Sequence, residues 1–222
     1  MIIGNGILAN ALRPFDTKDI IFFASGVSNS LETKTSEFTR ELNLLHSTVE
    51  QYPDKKLVYF STCSIYDSSK TESPYVLHKL NMEKIISEIC PRYAIFRIGN
   101  AVGKGGNTNT LINFLKNSII TGQTIQIHSK AKRVFIGVND VALFINQNIG
   151  NIDNDIFNLI YPYQFSLTEV IVPLEKHLNK KMTYEVIDEG SFYDINFEKS
   201  TQSFFQEITP EEYLEKLYNT YL

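Results

Sequence analysis

The sequence predicts an α/β fold, a parallel sheet with helices on both faces. Apolar runs of strand length alternate with amphipathic stretches of helix length, and each run lies too far from the next for a hairpin. Right-handed crossovers then carry the helices to the two faces of the sheet. Size fits one compact body. Of 222 residues 43% are hydrophobic, 21% charged and 12% aromatic, the composition of a chain that builds a core.

In chain order, Met1 to Ile3 is a very short strand, and Gly4-Asn5-Gly6-Ile7-Leu8-Ala9-Asn10-Ala11-Leu12 is a tight turn running into a helix. Asp19 to Ala24 is a second strand, a continuous apolar run of the kind buried on both faces. Ser36 to Tyr52 is a helix whose Phe38, Leu42, Leu45 and Val49 recur at spacings of three and four. Lys56 to Ser61 is a strand, Tyr75 to Ile89 a helix entered through Pro74, and Tyr93 to Ile98 a further buried strand. The last third is less regular. Residues 107–122 read as a helix, Thr124 to Ile127 and Val134 to Val138 as short strands, and Asp140 to about Asn148 as a helix. Ser166-Leu167-Thr168-Glu169 and Thr209-Pro210-Glu211-Glu212 each place a hydroxyl cap three residues before a glutamate, so each opens a helix, the first with a kink expected at Pro173. No repeat, heptad run or flexible linker divides the chain.

Several function classes are excluded. A net charge of −4 lacks the Lys/Arg surplus of a nucleic-acid binder. Two cysteines, Cys63 and Cys90, make neither a disulfide framework nor a zinc site, and no histidine spacing points to a metal. The longest apolar runs, such as Ile20 to Ala24, fall far short of the roughly 20 residues of a membrane span. Ile-Ile-Gly directly after Met1 leaves no basic region for a signal peptide, so a cytoplasmic chain without membrane partners is expected.

Three motifs carry chemistry. Gly4-Asn5-Gly6-Ile7-Leu8-Ala9 is a GxGxxA between a strand and a helix: the glycines let backbone approach a pyrophosphate, and the small Ala9 lets helix and sheet pack closely. An ordinary strand-to-helix turn uses glycines too. Tyr75 and Lys79, four apart, share one helix face, where an ammonium beside the phenol would favour phenolate and make Tyr75 a proton carrier. Both residue types are abundant, so the pair alone is weak. Thr62 ends the strand from Lys56 in a cluster of hydroxyls at the carboxyl end of a parallel strand, where such sheets bind ligands; helix-capping serines would look the same.

Occurring in this order, these segments resemble the extended short-chain dehydrogenase/reductase superfamily, in its nucleotide-sugar epimerase/dehydratase branch. Asp19 to Ser25 is similar to the family's second nucleotide-binding strand, with Ala24 at the cofactor. Arg97-Ile98-Gly99-Asn100-Ala101-Val102-Gly103 is similar to its R-x-x-N-x-x-G segment, and Arg133 to Ala142 to the segment whose arginine meets the substrate diphosphate. The resemblance implies a Rossmann-like sheet over about 1–105 and 130–165 with a small substrate-binding lobe over about 106–129 and 166–222. It implies NAD or NADP on Gly4, Gly6, Ala9, Ala24 and Lys79, Thr62 and Tyr75 with Lys79 as the catalytic set, and Asn100 and Arg133 on a nucleotide-sugar. It further implies a homodimer packed through the helices at 36–52 and 75–89. The activity expected is that of a reductase or epimerase of a nucleotide-linked sugar, in surface-polysaccharide sugar synthesis; the alternative is a non-catalytic nucleotide-sugar or nucleotide binder.

Two departures qualify that expectation. Only a handful of residues separate the first helix from Asp19, where the family has two further strands, so the sheet is truncated at one flank. The acidic residue for the adenosine ribose has no counterpart, Asp16 and Asp19 being in the wrong context and Arg13 a candidate for a 2′-phosphate. The two acids that follow the catalytic hydroxyl in the resembling dehydratases are here Cys63 and Ser64, which disfavours elimination and leaves Cys63 as an acid/base or as packing.

Overall fold

A computed structural model describes residues 1–105 and 110–222. Along the chain the elements are β1 (Ile2–Ile3), α1 (Ile7–Leu12), β2 (Ile20–Phe23), α2 (Thr35–Gln51), β3 (Lys56–Thr62), α3 (Pro74–Ile89), β4 (Tyr93–Ile98), β5 (Asn100–Val102), α4 (Leu111–Thr121), β6 (Ile125–His128), β7 (Lys132–Arg133), β8 (Phe135–Gly137), α5 (Val138–Asn148), β9 (Asp155–Leu159), β10 (Phe165–Ser166), α6 (Leu167–Leu178), β11 (Tyr184–Ile187), α7 (Lys199–Phe204) and α8 (Pro210–Tyr221).

Strands β1, β2, β3, β4 and β9 form one sheet in that order, every pair parallel. The period-two alternation of strand side chains sorts its core into two layers. Ile21, Phe23, Leu57, Tyr59 and Ile95 point to one face and pack with Leu45 of α2 and Met82 and Ile86 of α3. Phe22, Val58, Phe60, Ala94 and Phe96 point to the other, against Leu12 of α1 and Val141, Phe144 and Ile145 of α5. Each of these phenylalanines, buried, stabilises the fold by roughly 1.5–3 kcal/mol. With helices on both sides, β3 is buried along its whole length, and its middle, Leu57 to Phe60, is apolar throughout.

The second layer runs on through Leu115 of α4, Leu174 of α6 and Tyr213 and Leu217 of α8. The two parts expected from the sequence therefore meet in one apolar core. Beside the central sheet stand three small ladders, β5 with β8, β6 with β11, and β7 with β10.

Local chemistry sets several element ends where sequence placed them, whereas the expected strand Val134 to Val138 is confined to Phe135–Gly137 and α5 opens at Val138 and not at Asp140. Pro74 occupies the first turn of α3 and Ser73 caps it, its Oγ accepting from the Val76 amide at 3.3 Å. Ser166 with Glu169 and Thr209 with Glu212 form complete capping boxes. Helix α6 continues through Pro173 to Leu178. The expected helix over 107–122 is described from Leu111 and ends at Gly122, whose φ of +71° suits glycine; its expected start at 107 lies outside the described residues. Strand β9 was not anticipated: Asp155–Leu159 closes the far edge of the sheet beside β4. Among the described residues no helix is long and apolar enough to cross a membrane.

Candidate active site

A cleft of about 740 Å³ opens above the carboxyl ends of the strands. Gly6, Ala24, Thr62, Tyr75, Lys79, Asn100 and Arg133 all line it, so residues from six segments of the chain converge. Gly4 and Ala9 act from behind. A Cβ on Gly4, whose φ is +122°, would lie 2.3 Å from the Ala24 carbonyl oxygen, so the turn closes onto β2 only with glycine there. Ala9 is fully buried in α1. A Cβ on Gly6 would meet nothing within 4 Å, which leaves the turn open toward the cleft.

That open turn and the Ala24 end of β2 fit the pyrophosphate of a dinucleotide. The adenosine end differs. No strand pairs with the outer edge of β1 among the described residues, so the wall that a longer sheet would offer is missing. Arg13 lies outside the cleft lining, its Nε donating to Asn10 Oδ1 at 3.1 Å. His, Cys, Asp and Glu form no cluster suited to a metal among the described residues.

Tyr75 sits in the first turn of α3, 7% exposed, hydrogen-bonded with Thr62 at the end of β3. Thr62 Oγ1 also accepts from the Ser64 amide at 3.1 Å, which fixes its rotamer. Burial pushes the Tyr75 hydroxyl up to about 12, against the hydrogen bond with Thr62, which favours phenolate.

The expectation that Lys79 lowers Tyr75 toward the working range is corrected here. Lys79 is buried and turns its ammonium to Glu41 Oε1 at 3.0 Å, Tyr59 OH at 2.9 Å and the Phe60 carbonyl at 3.4 Å. Glu41, fully buried on α2, was not singled out from sequence. It also accepts from Tyr59 OH at 2.6 Å, from the Val27 amide at 2.7 Å and from His78 Nε2 at 2.9 Å. Burial alone would raise the Glu41 carboxyl, but Lys79 and these donors hold it far below the ordinary carboxylate range. His78, expected on a separate face from Tyr75, joins this network and stacks on Phe38.

At the substrate end, the Asn100 amide and Nδ2 both donate to the Val134 carbonyl, at 2.9 and 3.0 Å. Arg133 Nη1 donates to the carbonyls of Lys132 at 2.7 Å and Ser191 at 3.0 Å. Tyr193, also missed, lines the cleft beside them; Gln164 clamps it, accepting from its amide at 2.9 Å and donating to its carbonyl at 2.8 Å. Cys63 is fully buried with its Sγ 3.3 Å from the Arg97 carbonyl, and burial drives its thiol far above the usual range, so it is packing and not an acid/base.

Fold and cleft together are those of the short-chain dehydrogenase type, with the tyrosine and lysine of one helix facing a glycine turn across the strand ends. Residues 15–159 match the NAD dependent epimerase/dehydratase family, and the chain belongs to it, an NAD(P)-dependent family of oxidoreductases and epimerases. The matched stretch starts after the glycine turn. No curated protein sequence matches the chain. Among solved structures it is similar to Thermus thermophilus UDP-glucose 4-epimerase in complex with NAD, with TM-score 0.72 and 18% identity over 96% of this chain and 80% of that one. It is similar also to dTDP-glucose 4,6-dehydratase from Bacillus anthracis in complex with NAD, with TM-score 0.69 and 19% identity over 90% and 71%. RMD from Pseudomonas aeruginosa, complexed with NADPH, gives TM-score 0.67 and 15% identity over 90% and 79%. At these identities the likeness is one of fold.

Proposed function

We propose that the chain is an NAD(P)-dependent reductase or epimerase of a nucleotide-linked sugar, working in the cytoplasm in the synthesis of surface-polysaccharide sugars. The observation that carries this reading is the meeting of Thr62, Tyr75 and Lys79 with the open Gly6 turn in one cleft. Gly6 and Ala24 would hold the dinucleotide, which when bound supplies or accepts hydride at a sugar carbon, while the ammonium of Lys79, expected on the nicotinamide ribose, is instead engaged by Glu41, Tyr59 and the Phe60 carbonyl. Thr62 donates to the sugar oxygen, and Tyr75 gives that oxygen a proton as carbonyl becomes hydroxyl, or takes one in the reverse direction. Lys79 and Glu41 fix the helix face that presents Tyr75. Asn100 and Arg133 hold the nucleotide-sugar, the planar guanidinium suiting phosphate oxygens. Cys63 and Ser64 in place of acids favour this over dehydration. Leu77 and Leu80 of α3, 53% and 38% exposed, support a homodimer through α2 and α3.

Fluorescence titration with NADH and NADPH tests the reading. Saturable micromolar binding that Gly6→Val abolishes supports it, and absence of binding at millimolar cofactor overturns it. A second reading, a nucleotide-sugar binder without turnover, is favoured by the sheet edge at β1. Tyr75→Phe separates the two: a catalyst loses turnover by about a hundredfold or more while keeping its ligand, whereas a binder is unchanged.

A further inference from the structure

We infer that Glu41 is a positioning residue that neutralises Lys79, so that Tyr75 keeps its proton and the site is set to deliver a proton to a substrate oxygen. This rests on the reading of Tyr75 as the acid/base and names the direction in which it works.

The geometry is saturated on both sides. A carboxylate offers about four acceptor positions, and Glu41 receives four donors: Tyr59 OH and Lys79 Nζ on Oε1, the Val27 amide and His78 Nε2 on Oε2. An ammonium has three N–H groups, and those of Lys79 go to Glu41, Tyr59 and the Phe60 carbonyl. Gly26 closes the space over the pair, since a Cβ there would lie 2.7 Å from Lys79 Nζ and 2.8 Å from Glu41 Oε1. The lysine therefore cannot swing toward Tyr75 without breaking a buried ion pair.

Opposite charges at 3.0 Å present a third group with a dipole in place of a unit charge, so the field that would draw the proton from Tyr75 is offset. The other groups facing this site do not restore it. From α2, Arg40 is answered by Glu37; from α3, Glu83 is answered by Arg97, and His78 is engaged with Glu41; Arg133 of β7, in the same cleft, is faced by Asp67. Tyr59 and Thr62 of β3, Cys63 after it and Tyr193 from the C-terminal part face it as uncharged side chains. The rise of the Tyr75 hydroxyl to about 12, in which burial leads and Glu41 adds, agrees.

The test uses the protein without substrate or cofactor: alkaline titration of tyrosinate absorbance, taken as wild type minus Tyr75→Phe. The expected difference is flat from neutrality to about pH 10, the ordinary tyrosine range. One tyrosinate appearing well below that pH overturns the inference. In Glu41→Gln minus Glu41→Gln/Tyr75→Phe, the step should appear at least about one pH unit earlier than in wild type, because the lysine charge is no longer answered. No earlier step overturns it too, since a carboxylate that only props the helix leaves the spectrum of Tyr75 unmoved. Should Glu41→Gln not fold, the wild-type comparison decides alone. Failure of the catalytic reading would show separately, in the cofactor titration.

Discussion

Gly4 and Ala24 touch where β1 turns into α1: the Cβ that Gly4 lacks would lie 2.3 Å from the Ala24 carbonyl oxygen, at a φ of +122°. Gly4→Ala must open this contact and strain the backbone, with an expected loss of roughly 1–3 kcal/mol. Gly6→Ala, whose Cβ meets nothing within 4 Å, should lose far less. Urea unfolding of the two variants compares them, and equal losses would remove the close-approach account.

Behind the site, Arg97 grips Glu83 through Nε at 3.0 Å and Nη2 at 2.6 Å, while its Nη1 donates to Tyr66 OH at 2.8 Å. Glu83 also accepts from Ser61 and is only 5% exposed. Arg97→Met strands a buried carboxylate and should cost about 3–5 kcal/mol, whereas Arg97→Met/Glu83→Leu should recover much of it. A double-mutant cycle without recovery would mean that the pair is not the source of the loss.

Asp67 gives a pH dependence. Burial alone would raise its carboxyl, but the Ser69 hydroxyl at 2.6 Å, the Ser191 hydroxyl at 2.8 Å, the Ser69 amide at 3.0 Å and the nearby Arg133 together hold it below the usual range. A carboxyl lowered in the folded state adds stability above its unfolded value and loses it as pH falls through the folded one. The stability gap between wild type and Asp67→Asn should therefore be widest near neutrality and narrow below about pH 4. Denaturation midpoints across acid pH measure it; a gap independent of pH would exclude the linkage.

Both thiols should be silent in the native protein. Cys63 is fully buried, and burial pushes Cys90, 8% exposed, up to about 11. A disulfide reagent at neutral pH should label neither until denaturant is added. Rapid labelling of one thiol in the native state would contradict this packing.

What the sequence disclosed is what local pattern encodes. Lys56 to Ser61 and Tyr93 to Ile98 were legible because strands covered on both faces carry apolar runs, here Leu57 to Phe60 and Tyr93 to Phe96, and the two capping boxes because each is complete within four residues. Strand β9 was not, since Asp155–Leu159 is short and interrupted by Asn158. Glu41 was hidden for a different reason. On α2 the series Phe38, Leu42, Leu45 and Val49 reads as the inward stripe, yet the fully covered positions are Glu41, Leu45 and Thr48. Burial of a charge there depends on Lys79, 38 residues away, and no local spacing announces such a partner. Tyr75 and Lys79 were found as a pair, but their electrostatic relation was set by that third residue.

The sheet that stops at β1 has a kinetic corollary. On the reading proposed above, a dinucleotide at the Gly6 turn would find no strand beyond β1 among the described residues to cover its adenosine half, which would shorten its residence. Such a site would suit a reductase, whose coenzyme leaves after one reaction and is regenerated elsewhere, over an epimerase, which retains its coenzyme through successive cycles, and a reductase's rate would then follow the cell's ratio of reduced to oxidised coenzyme.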